Sequence, residues 1–275
     1  MSLVDAIGVV HDAIDLSRPP RIVSLVPSIT ELLCDLGLEK WLVGRTGFCI
    51  HPADSVRSIA KIGGTKDVNI DKIIRLAPTH LIVNIDENQK PTVDTLARHI
   101  AHVVVTHPLA PNDNLVLYRL LGGIFDCRER AEILCAEFTQ AAAACRPTKA
   151  QRVLYCIWKD PWMTVSRDTY IARMLAHIDW IQWDAPTSAG RYPVVSWTDS
   201  VLAEIDLVLL SSEPYRFDAS HVDALARQID KPVLAVNGEM LSWYGSRAIA
   251  GMHYLHRLGQ QNSGVQQPRN LTSAD

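Results

Sequence analysis

Apolar positions along the first part of the chain alternate between short β-type runs and stretches with helical spacing. An apolar run at 21–27 ends at Pro27, and leucines then recur at helical intervals up to Gly37, with Ser28 and Glu31 placed as a capping box. Further strands are predicted at 41–44, 80–84 and 103–106, and helices at 71–76 and 92–99. Strands that alternate with helices predict βα units and a mainly parallel sheet.

The middle of the chain has a different pattern. From 112 to Pro147 there is no other proline, and Leu117, Leu120, Leu121 and Ile124 follow helical spacing. The spacing continues after a predicted break near Gly122 and Gly123. We interpret this segment as a long helical connector, which is rigid, rather than as a flexible linker.

The second half of the chain repeats the first. Residues 93–100 read VDTLARHI and residues 222–229 read VDALARQI, and an apolar run follows each. The run at 21–26 likewise matches the run at 152–157. A spacing of about 130 residues is too long for a solenoid of short repeats and predicts two similar α/β lobes with a ligand crevice between them. Second-lobe strands are predicted at 153–157, 207–210 and 233–236, and helices at 169–176, 197–203, 219–229 and 248–258.

These patterns define a predicted fold class and domain plan. The fold is α/β, with two Rossmann-like lobes that contain parallel-type sheets and are joined by one long connecting helix. The predicted boundaries are a leader at 1–20, an N-terminal lobe at 21–111, a connecting segment at 112–147, a C-terminal lobe at 148–258 and a flexible tail at 259–275.

Composition narrows the functional classes. Of the 275 residues, 48% are hydrophobic and 21% are charged, which is typical of a globular domain. The net charge is −3 and there is no long basic run, which argues against nucleic acid as a partner. No apolar stretch approaches the length that a membrane helix requires.

The N-terminal residues lack the basic region, apolar core and small-residue cleavage site of a signal peptide. Val4, Ile7, Val10 and Ile14 instead have helical spacing, which predicts a helical leader. The six cysteines show no CxxC spacing and are interpreted as buried free thiols. We therefore expect a periplasmic protein if a signal peptide has been removed, and otherwise a cytoplasmic one.

Candidate ligand-binding residues cluster after the predicted strands, where parallel α/β sheets bind ligands. The aromatic candidates, which offer broad apolar contact to a large flat ligand, are Phe48, Trp158, Trp162, Tyr192, Tyr215, Trp243 and Tyr244. The charged candidates are Arg45, Glu87, Arg191, Glu213 and Glu239. Each aromatic residue could equally pack the end of a lobe, but the set taken together favours a pocket. The arginines could meet an anionic ligand or pair with the glutamates.

Enzyme and metal motifs are weak or absent. Gly63 to Lys66 lacks P-loop spacing, and no nucleophile elbow is present. Cys49 and His51 have no partner arrangement, so we interpret them as structural. His99, His102 and His107 near a helix end, and His253 with His256, are interpreted as surface residues. We predict no catalytic residues, no metal site and no permanently bound cofactor.

Two stretches of the first lobe resemble a known family. The stretch from Arg21 to Glu31 (RIVSLVPSITE), Val43 with Gly44, and the stretch from Ile70 to Val83 (IDKIIRLAPTHLIV) resemble the vitamin B12-binding and iron-siderophore-binding proteins of ABC importers. These are periplasmic substrate-binding proteins of the helical-backbone metal receptor type. The resemblance spans residues 20–258.

The resemblance implies a substrate-binding protein for a metal chelate (cobalamin or another corrinoid, a ferric siderophore or haem) that feeds an ABC importer. It implies that Tyr192 is a pocket aromatic residue and that Asp71 and Asp199 dock to a membrane permease. We expect a monomer that is not an enzyme. Two alternatives remain open: a cytoplasmic chelate-handling protein or enzyme on the same scaffold, with glutamates as acid–base groups, and a sensory or interaction module.

Overall fold

The chain divides into two compact units. The computed structural model describes residues 3–185 and 190–262. Unit 1 contains the chain up to Gln140 together with Trp243–Ile249, and unit 2 contains Ala141–Ser242 and the chain from Ala250 onward.

Unit 1 is built on a parallel sheet. Its described strands are β1 (Leu3–Val4), β2 (Val10–His11), β3 (Ile22–Ser24), β4 (Leu42–Arg45), β5 (Ala60–Lys61), β6 (His80–Asn84) and β7 (His102–Thr106). Its described helices are α1 (Pro27–Asp35), α2 (Ala53–Val56), α3 (Ile70–Arg75), α4 (Lys90–Leu96), α5 (Asp113–Ile124) and most of α6 (Arg128–Ala144). The sheet order is β5-β4-β3-β6-β7, and neighbouring strands are parallel. Val23 and Leu81 of the sheet pack with Ile73 of α3 and Leu96 of α4 in a fully buried core.

Unit 2 has the same kind of sheet. Its described strands are β8 (Gln151–Trp158), β9 (Met163–Thr164), β10 (Trp180–Gln182), β11 (Leu207–Ser211) and β12 (Val233–Val236). The described helices of this half are α7 (Tyr170–Leu175), α8 (Asp199–Glu204), α9 (Ala219–Ile229), α10 (Gly238–Ser242) and α11 (Arg247–Asn262). The order is β10-β8-β11-β12 in parallel, and β9 pairs antiparallel with β8. Leu154, Val208 and Leu225 lie in its core.

The sequence repeat corresponds to a repeat of topology. Strands β4, β3, β6 and β7 of unit 1 have the same order as β10, β8, β11 and β12 of unit 2. The repeated octapeptides lie in and just after α4 and in α9, each before the edge strand of its sheet. The division between the units falls within α6. The predicted fold class, two α/β lobes with parallel sheets joined by a helix, is confirmed.

The predicted helical leader is wrong, because β1 and β2 form an antiparallel hairpin. Asp5 determines this structure. Its Oδ1 accepts hydrogen bonds from the backbone N–H groups of Ile7 (3.0 Å) and Val9 (2.9 Å), and its Oδ2 accepts one from Val105 of β7 (3.1 Å). A local Asx-type turn and an anchor to the sheet therefore override the helical spacing of the apolar residues. As a result, Ile7 and Val10 are 61% and 66% exposed.

The predicted capping box at α1 is also wrong. The helix begins at Pro27 with Val26 as its N-cap, and no side chain caps it. Proline already has the backbone angle of a first helical turn and has no N–H to satisfy, which favours the earlier start. The carboxylate of Glu31 forms an ion pair with Arg247 instead.

The break in the connecting segment lies a few residues after the predicted glycine pair. Helix α5 continues through both glycines to Ile124, and the chain turns at Asp126, whose φ is +53°. A methyl group at Gly122 would lie 2.4 Å from Cβ of Ala131. One at Gly123 would lie 2.2 Å from Cδ2 of Leu3. The glycines therefore permit close packing of α5 against its neighbours and do not end the helix.

The C-terminal part of the chain differs from the predicted domain plan at two places. Segment 243–249, which we predicted in the C-terminal lobe, belongs to unit 1. Tyr118 of α5 donates its hydroxyl hydrogen to the carbonyl of Gly245 (2.8 Å), and Oδ1 of Asn114 accepts from the Gly245 N–H (2.7 Å). The predicted tail is helical up to Asn262, and its remainder lies outside the described residues. Within the described ranges, no helix is long and apolar enough to cross a membrane.

Candidate functional site

The topology of each sheet identifies a position where a ligand would bind. In unit 1 the strand order reverses between β3 and β6, and in unit 2 it reverses between β8 and β11. Loops that leave the carboxyl ends of two such strands diverge and leave a depression. We call the segments that follow the carboxyl ends of β3 to β12, including 243–247, the strand-end loops.

The loop after β4 presents an aromatic ring on a rigid base. Arg45 is buried (4% exposed), and its guanidinium donates hydrogen bonds to the carbonyl oxygens of Val56 (2.9 Å) and Thr46 (3.1 Å). Phe48 in the same loop is 63% exposed. Arg45 therefore fixes the loop, and Phe48 is the surface contact that the loop offers.

Glu87 follows β6 and is joined to Tyr244. The buried Tyr244 hydroxyl donates to a carboxylate oxygen of Glu87. Burial, together with the charge of Glu87, raises the pKa of Tyr244 well above its usual range, so the phenol stays protonated. The adjacent Asn88 accepts from the N–H of Asn84 (2.8 Å) and donates to the carbonyl of Leu25 (3.3 Å), which fixes the backbone on both sides of the topological switch.

A second polar group in unit 1, which we call the Arg247 network, consists of Glu31, His51, Trp243 and Arg247. The guanidinium of Arg247 donates to both carboxylate oxygens of Glu31, at 2.7 and 2.6 Å. It also lies 4.9 Å from the ring centroid of Trp243, whose ring meets His51 edge-on at 5.6 Å. Burial raises the pKa of Glu31 despite the opposing effect of Arg247. The network therefore fixes the plane of the Trp243 ring.

Of this network, sequence reasoning identified Trp243 alone. A detectable signal was present, since Arg247 begins α11, and a cation at a helix N-terminus is unfavourable unless a carboxylate compensates it. From the sequence, His51 and Cys49 are interpreted as one structural pair, but the structure gives them different contacts. His51 meets the Trp243 ring, whereas Sγ of Cys49 forms hydrogen bonds with the hydroxyl groups of Thr30 and Thr46, both at 3.1 Å.

In unit 2 the strand-end loops are held by aromatic rings, which form what we call the aromatic ladder: Trp158, Tyr215, Phe217, Trp162 and Trp197. Trp158 meets Tyr215 edge-on at 5.5 Å, and Tyr215 lies 4.6 Å from Phe217. Phe217 stacks on Trp162 at 5.6 Å and 4°, and Trp162 meets Trp197 edge-on at 5.3 Å. Such pairs stabilise one another beyond their area burial. Trp158, at one end, is 41% exposed.

Glu213 and Glu239 lie in the loops after β11 and β12. The Ser242 hydroxyl donates to Oε1 of Glu213 (2.8 Å). Gly238 permits this approach, because a methyl group there would lie 2.5 Å from Cγ of Glu213. Glu239 is half-buried in the first turn of α10. Ser242 thus holds the Glu213 carboxylate close to the carboxyl end of the sheet.

Arg191 and Tyr192 lie in a segment that pairs with the region around β9. The carbonyl of Arg191 accepts from Ser166 (2.9 Å), and that of Pro193 accepts from Thr164 (2.9 Å). The Arg191 guanidinium pairs with Asp168, with Nε 3.5 Å from Oδ2. Tyr192 is 43% exposed.

Large apolar side chains are exposed elsewhere, as at Ile7 and Val10 of the N-terminal hairpin, but six of them lie at or just after the carboxyl ends of strands. In unit 1 these are Phe48 (63%), Ile50 (50%) and Ile85 (46%), and in unit 2 they are Trp158 (41%), Tyr192 (43%) and Val194 (60%). Exposed apolar groups of this size that gather at one edge of a sheet indicate a binding surface.

Asp71 and Asp199 occupy corresponding helix starts. Asn69 caps α3 and Thr198 caps α8, so Asp71 is the second helical residue and Asp199 is the first. Both are exposed. The helix dipole by itself favours an acidic residue in a first turn, so the positions of Asp71 and Asp199 have a structural explanation as well as a functional one. Their docking to a permease stays a prediction.

No group of three or more His, Cys, Asp or Glu side chains in residues 3–185 and 190–262 is placed to hold a metal ion. The cysteines are free thiols, and Cys49, Cys135, Cys145 and Cys156 are buried.

Comparisons with known proteins agree with this geometry. A sequence model for periplasmic binding proteins matches residues 22–240. The vitamin B12-binding protein of Pectobacterium carotovorum subsp. carotovorum (strain PC1) is 22% identical over 239 residues, which cover 84% of this chain and 85% of that protein. The periplasmic heme-binding protein RhuT of Roseiflexus sp. RS-1 superposes with a TM-score of 0.74 at 21% identity, covering 90% of this chain and 100% of that one. The periplasmic vitamin B12-binding protein BtuF of Vibrio cholerae gives a TM-score of 0.70 at 19% identity, with 88% and 99% covered.

Proposed function

The chain belongs to the periplasmic binding protein family, and we propose that it binds a metal chelate, such as a corrinoid, a haem or a ferric siderophore, for an ABC importer. Membership confirms the resemblance carried by the stretches 21–31 and 70–83, and with it the prediction of a binding protein rather than an enzyme. The relatives named above for vitamin B12 and heme supply the ligand class.

The observation that supports this ligand class is the exposed apolar surface on the strand-end loops of both units. Unit 1 exposes Phe48 and Ile85, and unit 2 exposes Trp158 and Tyr192, so each unit by itself offers apolar contact to a ring system. Tyr215 supports Trp158 through an edge-on ring contact at 5.5 Å, and the Arg247 network holds the Trp243 ring at a fixed angle. Arg45 acts indirectly by fixing its loop.

Titration with cobinamide, cobalamin, haemin and a ferric siderophore tests the proposal. Because such chelates absorb visible light, one of them should quench tryptophan fluorescence and raise the melting temperature. Trp158→Ala should weaken binding by about tenfold through loss of an aromatic contact. Trp41→Phe, outside the strand-end loops, is the matched control. The proposal fails if no chelate produces quenching or a thermal shift.

Delivery to an importer is the second part of the proposal. The exposed carboxylates of Asp71 and Asp199 are available for basic side chains of a permease. Replacing both by Asn should leave chelate affinity unchanged and reduce importer-dependent uptake. Unchanged uptake by this variant would contradict the docking role.

A further inference from the structure

The N-terminal hairpin, residues 3–11, is joined to the edge of the unit 1 sheet at Val105 of β7. The Ala6 N–H donates to the carbonyl of Val105 (2.9 Å), and the Val105 N–H donates to Oδ2 of Asp5 (3.1 Å). A side-chain carboxylate thus takes the place of the backbone carbonyl that a neighbouring strand would offer. The same Oδ2 lies 3.2 Å from Nε2 of His11, and both side chains are buried.

The hairpin itself buries little apolar surface. Four of its apolar side chains are between 40% and 66% exposed, namely Val4, Ile7, Val9 and Val10. A cavity of about 180 Å³ lies beside Leu3, lined also by Gly123 of α5 and Ala131 of α6. A segment with few buried apolar contacts opens more readily than the core. The polar contacts of Asp5 therefore decide whether the hairpin stays on the sheet.

Three histidines, which we call the histidine cluster, lie beside these contacts: His11 in β2, His80 in β6 and His102 in β7. The His80 ring stacks on His102 at 4.7 Å and 19°, and Phe125 at the end of α5 meets it edge-on at 5.1 Å. Nδ1 of His80 lies 2.9 Å from Oγ1 of Thr79. His80 is 7% exposed, so the hairpin, β7 and α5 enclose it.

This enclosure keeps His80 neutral. Burial, together with the charges that His102 and His11 carry when protonated, lowers the pKa of His80 from 6.5 to about 4. Arg21, which precedes β3 beside this strand, directs its guanidinium to the carbonyl of Leu76 (2.7 Å). An imidazole in water has a pKa of about 6.5. A base whose pKa is lower in the closed state than in the open state favours opening as pH falls below 6.5.

We propose that the hairpin is an acid-released strap: protonation of the histidine cluster detaches residues 3–11 from β7 and leaves Val105 on an open sheet edge. Two protonated rings at His80 and His102 would repel each other, and moving the hairpin aside removes His11 and admits water. An open edge is a place where another strand can pair. His80 and His102 begin their strands, at the ends opposite the strand-end loops, so the inference does not depend on the proposed function.

Hydrogen exchange of backbone amides in the full chain tests the strap. Protection factors, which correct for the intrinsic effect of pH, are measured by NMR at about pH 7 and pH 5. The Leu25 N–H donates to the carbonyl of Ile82 (3.0 Å) and reports on unfolding of the sheet itself. We expect protection of Ala6 and Val105 to fall by about tenfold, within the limit of tenfold per pH unit for one proton. Unchanged protection at Ala6 and Val105, or an equal fall at Leu25, overturns the inference.

Variants assign the effect to His80. His80→Gln does not titrate and keeps a side chain that can bond to Thr79, whereas His80→Phe keeps a ring against its neighbours. In either variant the acid-induced fall at Ala6 and Val105 should be less than about twofold, because the linked proton is gone. His99→Gln, at an exposed position after α4, should retain the tenfold fall of about two pH units. A tenfold fall that persists in both His80 variants overturns the assignment.

Titration of the His80 ring in the unaltered chain decides the matter if neither variant folds. NMR of the imidazole C–H protons follows its protonation while the Ala6 amide reports whether the strap is closed. We expect the ring to stay neutral until the pH has fallen well below 6.5, and to gain its proton together with loss of protection at Ala6. A ring that titrates near 6.5 while Ala6 stays protected overturns the inference.

Discussion

The two units support their strand-end loops in different ways on the same strand order. In unit 1 the loops are fixed by ion pairs and hydrogen bonds, with Arg247 on Glu31 and Tyr244 on Glu87. In unit 2 they are fixed by ring packing along the aromatic ladder. The repeat therefore preserves strands and helices, while the means of stabilising the loops is set locally by the loop residues. Salt and pH should accordingly affect unit 1 more strongly than unit 2.

The largest effect should come from the aromatic ladder. Phe217 is 6% exposed and contacts two other rings of the ladder. Phe217→Ala would remove the central ring and leave a cavity, which should lower the free energy of unfolding by about 4 kcal/mol. Urea denaturation followed by circular dichroism measures this loss.

Phe48→Ala is the matched control for the ladder. Because Phe48 is 63% exposed, its removal should change the free energy of unfolding by no more than about 0.5 kcal/mol. If the two alanine variants have equal stability, ring packing does not hold the unit 2 loops and the contrast between the units is lost.

The next largest effect should come from the Arg247 network. The side chains of Arg247 and Glu31 are 11% and 14% exposed, so Arg247→Met leaves a nearly buried carboxylate without its cation and should cost about 3 kcal/mol at neutral pH. The pKa of Glu31 is already raised, and loss of Arg247 should raise it further. A carboxyl group whose pKa is higher in the folded state than in the unfolded state makes the folded protein more stable as pH falls. The stability lost in Arg247→Met should therefore become smaller as pH falls through the pKa of Glu31.

Denaturation at a series of pH values measures both the size of this stability loss and the direction in which it changes with pH. Arg119→Met is the control, because its pair with Glu132 is 37% and 56% exposed and should contribute no more than about 1 kcal/mol. A loss in Arg247→Met that grows as pH falls would contradict the assigned role of Glu31.

The smallest effect should come from Tyr244→Phe. The change keeps the buried ring and removes the hydroxyl that donates to Glu87, which should cost about 1.5 kcal/mol. Tyr192→Phe alters a tyrosine that is 43% exposed and should lower the free energy of unfolding by less than Tyr244→Phe does. Equal behaviour of the two variants would show that the bond to Glu87 does not stabilise unit 1.

Much of the fold could be predicted because its signals are local. The helix at Ala219–Ile229 and the strand at Val233–Val236 were predicted to the residue, since the repeated octapeptide and the apolar run that follows it mark them. The strand-end rule also identified Phe48 and Trp158, which are exposed on those loops. The prediction of a helical leader was wrong because the hydrogen bonds of one buried side chain, Asp5, outweigh the helical spacing of the apolar residues.

Long-range polar contacts could not be predicted from periodicity. Arg247 and Glu31 are separated by 216 positions in the chain, and Tyr244 and Glu87 by 157. Nothing in the local pattern around Glu31 distinguishes a capping carboxylate from an ion-pair partner. The ring order of the aromatic ladder was hidden for the same reason, because Trp162 and Phe217 come together only when β8 and β11 pair.

The membership of segment 243–249 in unit 1 has a consequence for biosynthesis. When a ribosome has translated the first 140 residues, Glu31, Asn114 and Tyr118 still lack the groups that they bind in the finished protein. Those groups are made after β8 to β12 have been synthesised. The unit whose strands are translated first therefore stays incomplete until nearly the whole chain has been made, and a nascent chain that stalls before Trp243 leaves that unit without these polar contacts.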